Sequence, residues 1–524
     1  MTLINECFRY AIAVVMTSLG YLFARLHRRK ITNFPKDQQR LHSLYDIKHD
    51  TPILDYGPEL KELINTASQQ YPHAKYAKTS GSTAEPKRIL YPKERIKRTK
   101  FTFIDNLGRC FISRPISRKV LYVFSALSDD ESLTGMLLDD NEVTPYISGL
   151  QAPYRLHRHP SLQKMEKEYG PYAARFFVII VSNPGLFYST NPSTLSTFLS
   201  ELTTNFDATK KAIFDYHHSP EKFGSQFHKI RRRIQSFGWQ KRFELIANAQ
   251  TCPPIEDMFP GLVGYFCWTG GYVAPFLEHV EEYLPREKYT RYPMYSMSTE
   301  VIETVTHYAE KTHFLPLGHN VLYEFLPISA ADDSSKLLKP HELEQGQEYT
   351  MVVSDSYGLR RYQTDDVFMC RSFIKGLPDL IFMRRRSLEY SFTGEKLTAI
   401  QLSAVYQKLR KKFHFIAEQV FLSSCPSLSS SENLPHYKLI VVGAKHEESK
   451  QLETAFDDFL KLENSEYEAK RVSGRLARPQ VVFCNLEEVV RRTANAQRLK
   501  DWESQFKFLP LYRTLWEGDE PAVS

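Results

Sequence analysis

The sequence predicts an α/β protein. Its large N-terminal domain has β-sheets flanked by helices and a small β-barrel-like part, and a smaller C-terminal α+β domain follows. Three observations lead to this fold class. With 524 residues, the chain is too long for one ordinary hydrophobic core. Apolar runs of buried-strand length alternate with helical segments, as is typical of a largely parallel sheet. Short, closely spaced strand patterns then precede a compact unit over residues 396–524.

Residues 1–30 contain an uncharged apolar run, Tyr10–Ala24, which is followed at once by the basic cluster Arg25–Lys30. The run is short for a bilayer span, which needs about 20 residues. A secretory signal would place its positive charges before the run. Because basic flanks stay on the cytosolic side, we expect a membrane anchor or interfacial helix here, with the rest of the protein cytoplasmic. A helix packed on the globule is the alternative.

Residues 31–395 form the predicted large domain. Apolar spacing and Pro or Ser near the start predict helices, and Lys210–Ala249 is charged and helical in character. The clearest helices are Pro58–Gln69 and Thr194–Leu202. Buried strands are predicted at Val120–Leu127, Arg175–Ser182 and Leu262–Trp268. A meander or small barrel is predicted from Val321–Pro327, Glu348–Ser354, Leu359–Thr364, Val367–Phe373 and Leu380–Met383.

Residues 396–524 form the predicted small domain. An amphipathic helix at Leu397–Phe413 opens it, and the spacing of Leu452, Phe456 and Leu460 predicts a second helix. Its predicted strands and last helix are Ile416–Ser423, Tyr437–Val442, Pro479–Cys484 and Leu486–Leu499.

Composition excludes several classes of function. The net charge of +7 permits anionic substrates but falls short of a nucleic-acid-binding signature. Basic clusters such as Lys93–Lys100 are interpreted as solvated faces. The seven cysteines are spread singly without a CxxC motif, which indicates a reducing compartment and no disulfide framework. The sequence has no GxSxG motif, Cys/His pair or metal-ligand cluster that would favour a hydrolase.

A hydroxyl-rich turn within Tyr76–Tyr91 is the first candidate for chemistry. Its small residues let backbone N–H groups approach phosphates, its hydroxyls donate hydrogen bonds, and a lysine supplies charge. The candidate phosphate-binding residues are Thr79, Ser80, Gly81, Ser82, Thr83 and Lys87. Lys87 lies six positions after Gly81, and no glycine stands directly before the lysine, so this is not the ordinary P-loop. A surface turn is the alternative.

Further candidate residues follow along the chain. The Gly270-Gly271 pair allows a flat base to approach the backbone, and Tyr295–Glu300 offers an aromatic face, the Thr299 hydroxyl and a carboxylate. Carboxylates at Tyr362–Asp366 suit ribose hydroxyls. Cations at Phe382–Arg386 and the Gly394-Glu395-Lys396 segment complete the set. Singly, each has an ordinary structural explanation, such as a turn, a surface carboxylate or a solvated edge strand.

Taken in order, these motifs resemble the Gretchen Hagen family of acyl-acid amido synthetases, a branch of the luciferase-like adenylate-forming superfamily. The family's hydroxyl-rich loop, Asn-Pro-Ser-Thr-Leu, Trp-x-Gly-Gly, Tyr/Ser/Glu, Gly-Leu-Tyr-Arg-Tyr-Arg-x-Gly-Asp and Phe-x-Arg-Arg-Lys segments are all matched. The matches fall at Thr79–Thr83, Asn191–Leu195, Trp268–Gly271, Tyr295–Glu300, Gly358–Asp366 and Phe382–Arg386. A Gln-x-Lys-x-Pro pattern resembles Gln505–Pro510, with one residue inserted.

The resemblance implies ATP-dependent activation of a carboxylic acid as acyl-AMP and transfer of the acyl group to an amine, usually of an amino acid. It implies phosphate binding by Ser80, Ser82 and Thr83, and Mg²⁺ binding by Glu300. Gly271 and Tyr295 would frame adenine. Asp366 would bind ribose, and Arg385 would lie near the ribose–phosphate side. Lys396 or Lys507 would meet the α-phosphate, delivered by domain rotation.

Three departures from the family pattern stand at Ala84, Ser296 and Asp365. The first two replace the usual glycine of the loop and the usual aromatic residue, and the third replaces the glycine before Asp366. They leave open a catalytically silent, membrane-attached binding or scaffold protein as the alternative function. Transfer to coenzyme A is a further alternative within the same enzyme class.

Overall fold

The computed structural model describes residues 2–78, 87–113, 121–124, 133, 136–137, 160–189, 192–224, 235–236, 238–270, 273–294, 296–330, 333–386, 389–393, 395–415, 420–428, 434–443, 449–485, 488–489 and 509–512. Two compact units divide the chain. The first comprises residues 1–269, 280–364 and 369–381, and the second comprises residues 270–279, 365–368 and 382–524. The boundary at residue 395 stays a prediction.

The helices and strands are numbered separately, each in chain order. The helices are α1 Thr2–Leu44, α2 Pro58–Ser68, α3 Lys93–Ser113, α4 Pro160–Tyr169, α5 Pro171–Ser182, α6 Pro192–Thr204, α7 Phe206–His218, α8 Trp239–Asn248, α9 Ile255–Met258, α10 Ala274–Tyr283, α11 Ala399–Lys412, α12 Ser449–Glu463 and α13 Ser465–Val472. The strands are β1 Lys75–Lys78, β2 Arg88–Tyr91, β3 Leu121–Phe124, β4 Leu186–Ser189, β5 Gly264–Cys267, β6 Thr290–Pro293, β7 Val305–Tyr308, β8 Thr312–Leu315, β9 Leu322–Pro327, β10 Glu348–Ser354, β11 Tyr362–Ile374, β12 Leu377–Arg385, β13 Glu389–Tyr390, β14 Leu397–Thr398, β15 Phe421–Ser427, β16 His436–Val442 and β17 Gln480–Cys484.

A parallel sheet with the order β3-β4-β5-β6 lies in the first unit, as the sequence predicts. The buried face of α3 packs near it, where Leu107 and Cys110 contact Leu186, Phe266 and the residues around them. A meander with the order β12-β11-β10-β9 follows. The small barrel therefore takes the form of a four-stranded meander, and the fold class is confirmed.

Two predicted strand assignments are wrong. Arg175–Ser182 lies in helix α5, which begins after Gly170 and ends before Asn183 in the left-handed region. Every residue from Ala173 to Ser182 is buried, so the helix has no solvent-exposed polar face and lacks the 3.6-residue period that would distinguish it from a buried strand. The two strands expected within 359–373 are one continuous strand, β11.

The second unit contains a three-stranded sheet with the order β15-β16-β17. Strand β16 pairs antiparallel with β15 and parallel with β17. Helix α11 begins at a capping box, in which Thr398 accepts a hydrogen bond from the Gln401 backbone N–H. The helix buries Leu402 and Leu409 in a core shared with α12 and the sheet. The predicted helix at 486–499 lies almost entirely outside the described residues.

Helix α1 crosses α3 at a point where two glycines meet. A Cβ added at Gly20 would lie 2.4 Å from the Gly108 carbonyl oxygen, and one at Gly108 would lie 2.6 Å from Phe23 Cδ2. Only glycine allows this approach, because the obstacle at Gly20 is backbone. From Gly20 onwards one face of α1 therefore packs on the first unit, which supports the alternative of a packed helix. Among the described residues, none of the helices has both the length and the apolar character to cross a bilayer.

Replacing Gly20 with valine tests this crossing. We expect Gly20→Val to lower the free energy of unfolding by about 2 kcal/mol, because overpacking against backbone costs about 1–3 kcal/mol. The measurement is urea denaturation together with limited proteolysis of α1. Ser18→Val places the same side chain on the exposed face of the same helix and should change stability little. Equal stability of the two variants would contradict the close crossing.

Candidate functional site

Three side chains of the first unit meet around one carboxylate oxygen. Lys87 Nζ lies 3.2 Å from Glu300 Oε1 and donates a hydrogen bond of 2.7 Å to the Tyr362 hydroxyl. Tyr362 donates in turn to the same Glu300 oxygen at 3.2 Å. Glu300 and Tyr362 are buried, and Lys87 is half-buried. Lysine, tyrosine and glutamate thus form a closed triangle of charge-assisted hydrogen bonds.

The elements that place this triangle come from three distant parts of the chain. Lys87 directly precedes β2, which pairs antiparallel with β1 so that Lys78 stands opposite Arg88. The hydroxyl-rich residues 79–86 connect the two strands and lie outside the described residues. Tyr362 opens β11, and its backbone forms a bridge with Leu54.

A buried arginine fixes the turn that carries Glu300. Arg95, on α3, donates one hydrogen bond to the Glu300 carbonyl oxygen and another of 2.9 Å to the Leu90 carbonyl oxygen. The Tyr91 hydroxyl donates to the neighbouring Thr299 carbonyl oxygen at 2.9 Å. Burial raises the pKa of Tyr91 to about 12, so this hydroxyl remains a donor at neutral pH. The backbone of Thr299 and Glu300 is therefore held from the side of β2 and α3.

Asp355 completes the surroundings of Arg95. Its carboxylate lies 3.2 Å from Arg95 Nη2 and accepts backbone hydrogen bonds from Tyr357 and Leu359. Burial raises the pKa of Asp355, because its loss of hydration outweighs the opposing effect of the Arg95 guanidinium. Arg361, which immediately precedes Tyr362 in the chain, forms a second buried pair with Glu324 of β9, and both nitrogen–oxygen distances are below 3.0 Å.

The sequence patterns do not predict the contacts of Arg95, Asp355 and Tyr362. Arg95 belongs to the Lys93–Lys100 cluster that was interpreted as a solvated face, which is wrong for this residue because it is buried. One signal was present in the sequence. Arg95 recurs at helical spacing with other polar residues that also turn out to be buried on α3, namely Thr99, Thr102, Asn106 and Arg109.

Among the departures, Ser296 has a clear structural environment. Its hydroxyl donates to the Glu303 carboxylate, and its backbone N–H donates to Thr304 Oγ1 at 3.0 Å. The serine therefore helps to fix the turn that ends in Thr299 and Glu300. Tyr295 and Ala84 lie outside the described residues.

Two other predicted residues meet in the second unit. Asp366, on β11, lies with its Oδ1 atom 3.2 Å from Arg385 Nε on β12. The backbone N–H of Arg386 donates to the Asp365 carbonyl oxygen at 2.6 Å. Successive side chains of a strand point to opposite faces, so the additional carboxylate at Asp365 points away from the face that carries Asp366.

Lys396, also in the second unit, is exposed and has a positive φ of 43°. The preceding Glu395 is buried and accepts backbone hydrogen bonds from Phe392 and Thr393. Burial raises the pKa of Glu395, but hydrogen bonds from Tyr437 and the two backbone donors lower it more, to a net value below the usual range. Gly271, Lys507 and Thr79–Thr83 lie outside the described residues, so their roles stay predictions.

Arg95 offers a test of how the Glu300 turn is held. We expect Arg95→Met to lower the free energy of unfolding by about 3–5 kcal/mol, because Asp355 loses its buried partner. This loss should be smaller in acid, where Asp355 is protonated. It should also be smaller in the Arg95→Met/Asp355→Asn double variant. The measurement is urea denaturation at several pH values, with exposed Arg98→Met as the control. A loss independent of both pH and Asp355→Asn would contradict the pairing.

The chain is similar to proteins of known family. A family model described as the GH3 family central domain matches residues 314–385. A putative indole-3-acetic acid-amido synthetase GH3.10 from Oryza sativa subsp. japonica is 34% identical over 92 residues, which cover 18% of this chain and 19% of that protein. Jasmonoyl--L-amino acid synthetase JAR4 from Nicotiana attenuata is 32% identical over 91 residues, covering 17% and 16%. The matched segment thus spans less than a fifth of these relatives' lengths.

The fold comparison extends over most of the chain. The structure of the GH3.15 acyl acid amido synthetase aligns with a TM-score of 0.69 at 12% identity, covering 94% of both chains. A second structure, AtGH3.15 acyl acid amido synthetase in complex with 2,4-DB, aligns with a TM-score of 0.67 at 13% identity, covering 88% of this chain and 85% of that one. The resemblance is therefore confirmed over residues 314–385, which match the GH3 family central domain, and the chain has the fold of the GH3.15 acyl acid amido synthetase structures.

Proposed function

We propose that this chain is an ATP-dependent acyl-acid amido synthetase, which activates a carboxylic acid as acyl-AMP and transfers the acyl group to an amino acid. The observation that carries the proposal is the triangle of Lys87, Tyr362 and Glu300. In this triangle an ammonium group contacts a carboxylate, and the lysine follows the hydroxyl-rich segment in the chain. The amido synthetase names of the relatives support the same reaction.

The reaction has two steps. A carboxylate oxygen of the acid attacks the α-phosphorus of ATP, and the bond to the bridging oxygen breaks to release pyrophosphate. The amine nitrogen then attacks the acyl carbon, AMP leaves with the electron pair of the carbon–oxygen bond, and the nitrogen loses a proton. Neither step needs a nucleophile from the protein. Both need alignment and charge neutralisation.

The Lys87 ammonium group would neutralise negative charge on the triphosphate, and the Glu300 carboxylate would hold that lysine in place before ATP binds. A phosphate group would compete with Glu300 for the Lys87 ammonium group, because both are anions within the reach of one lysine. Tyr362 donates to Glu300 and would keep that carboxylate in place when the lysine turns to phosphate. Ser80, Ser82 and Thr83 would add hydroxyl donors from the segment that precedes Lys87.

Glu300 also fits as the protein ligand of a Mg²⁺ ion, which neutralises charge on phosphate oxygens when it is bound. Mg²⁺ typically takes one or two carboxylates from the protein and completes its shell with water and phosphate. One buried carboxylate matches this need. Within the described part of the chain, no group of three or more His, Cys, Asp or Glu side chains converges to form a cage made by protein alone.

Residues of the second unit are proposed for the nucleoside. Asp366 would accept hydrogen bonds from ribose hydroxyls, and its partner Arg385 would lie toward the phosphate side of the ribose. Gly271 and Tyr295 are proposed to frame adenine, beside the Thr299 hydroxyl. Lys396 or Lys507 is proposed to meet the α-phosphate.

One assay tests the activity directly. We expect carboxylate-dependent exchange of labelled pyrophosphate into ATP when the folded chain is screened with aryl, indole and fatty acids. Exchange without product formation until an amino acid is added would identify the acceptor class. If a folded preparation catalysed no exchange with any acid, the proposal would fail, and the silent binding protein would take its place.

Glu300→Gln tests the metal-binding role. This change keeps the size of the side chain and removes its charge. We expect pyrophosphate exchange to fall by about 10²- to 10³-fold, the usual cost of losing one group that stabilises developing charge. The concentration of Mg²⁺ needed for half-maximal exchange should also rise. The matched control is Glu310→Gln, at an exposed position of the same unit. An unchanged Mg²⁺ dependence in Glu300→Gln would exclude Glu300 as the ligand.

A further inference from the structure

Helix α1 has two faces with different environments. Its buried face recurs at helical spacing and packs on the first unit through Gly20, Phe23, His27, Ile31 and Phe34. Phe23 meets Phe101 of α3 edge to face, with ring centroids 5.6 Å apart. His27 Nε2 lies 3.1 Å from His307 Nδ1, and the two rings stack. Because this face is packed on the rest of the first unit, it cannot bind anything else unless α1 first separates from the unit.

The opposite face carries large apolar side chains into solvent. Tyr21 is 68% exposed, Val15 56%, Val14 50% and Leu22 49%. Their spacing of one, seven and eight residues places all four along one stripe of the helix. The exposed Ser18 lies between the two pairs on the same face. Large apolar side chains grouped on one exposed face mark an interaction site rather than scattered surface hydrophobes.

The same face becomes strongly basic one turn further on. Arg25, Arg28 and Arg29 are exposed and continue the stripe. The sequence contains no acidic residue between Glu6 and Asp37. From Val14 to Arg29 the stripe is about 22 Å long at 1.5 Å per residue. The exposed face therefore combines apolar side chains and an aromatic phenol with guanidinium groups that have no acidic residue near them in the sequence of the helix.

We propose that this face of α1, residues Val14 to Arg29, binds the surface of an anionic lipid bilayer and lies parallel to it. An apolar stripe with tyrosine suits the boundary between headgroups and acyl chains, and guanidinium groups attract anionic headgroups. The docked face keeps the helix outside the hydrocarbon core, so the helix binds the interface and does not cross it. The proposal does not depend on the ligase activity.

Charge disfavours a second copy of the chain as the occupant. A parallel pairing of two α1 helices would bring the arginine clusters together, and like charges repel. An antiparallel pairing would place the apolar half of each helix against the arginine half of the other. Neither arrangement satisfies both halves of the stripe, whereas an anionic interface does.

The test uses the full chain and vesicles of phosphatidylcholine, with or without about a third of phosphatidylserine, in a flotation assay. We expect binding to the anionic vesicles only, released by high salt. Tyr21→Ser/Leu22→Ser should reduce binding at least about 10-fold, and so should Arg25→Gln/Arg28→Gln/Arg29→Gln, because each variant removes one of the two attractions. Pyrophosphate exchange in solution should stay unchanged in both variants.

Matched controls lie in the second unit. Leu462→Ser/Val472→Ser removes two apolar side chains that are 72% and 81% exposed, and Arg475→Gln/Arg478→Gln removes two exposed charges. Neither control should weaken vesicle binding. Absence of binding to anionic vesicles, or equal weakening by variants and controls, would overturn the proposal. So would light scattering that finds a dimer abolished by the α1 variants while vesicles are not bound, since the face would then be a self-interface.

Discussion

The hydrogen bonds of a buried cation, Arg95, connect three separate parts of the first unit. A guanidinium group stays charged at any pH at which proteins fold, so its burial requires acceptors on every side. Arg95 finds them on the strand that follows the hydroxyl-rich segment, on the Glu300 turn and on Asp355. These partners are 5, 205 and 260 positions away in the chain. Folding therefore cannot satisfy the arginine without also bringing Glu300 beside β2.

This constraint explains why the Glu300 carboxylate meets Lys87. The Glu300 carbonyl oxygen is bound by Arg95, and the neighbouring Thr299 carbonyl oxygen is bound by Tyr91. With the backbone fixed on that side, the side chain extends to Lys87 and Tyr362. Arg95 thus acts on the proposed chemistry only through the position of Glu300, and it is a positioning residue rather than a catalytic one.

The sequence predicts the parts of this protein that have local signals. The parallel strands, the meander and helices such as α2 and α6 follow from apolar spacing and from Pro and Ser at helix starts. Helix α5 was mistaken for a strand because a helix buried on all sides has no polar face to reveal its period. The spacing of Arg95 with other polar residues of α3 indicates that this face could be buried, but the role of Arg95 depends on Glu300 and Asp355, which are distant in the chain and leave no local pattern.

Two of the departures from the family pattern, Asp365 and Ser296, have structural environments that do not favour a catalytically silent protein. Asp365 adds a carboxylate where a glycine is usual, but strand alternation directs it away from the face of Asp366. Ser296, which stands where an aromatic residue is usual, binds Glu303 and so helps to hold the Glu300 turn. Ser296 and Asp365 thus have environments that leave the carboxylates of Glu300 and Asp366 in their contacts. Replacing buried ion pairs with apolar residues is often neutral or stabilising, so stability alone does not explain the contacts of Lys87, Tyr362 and Glu300.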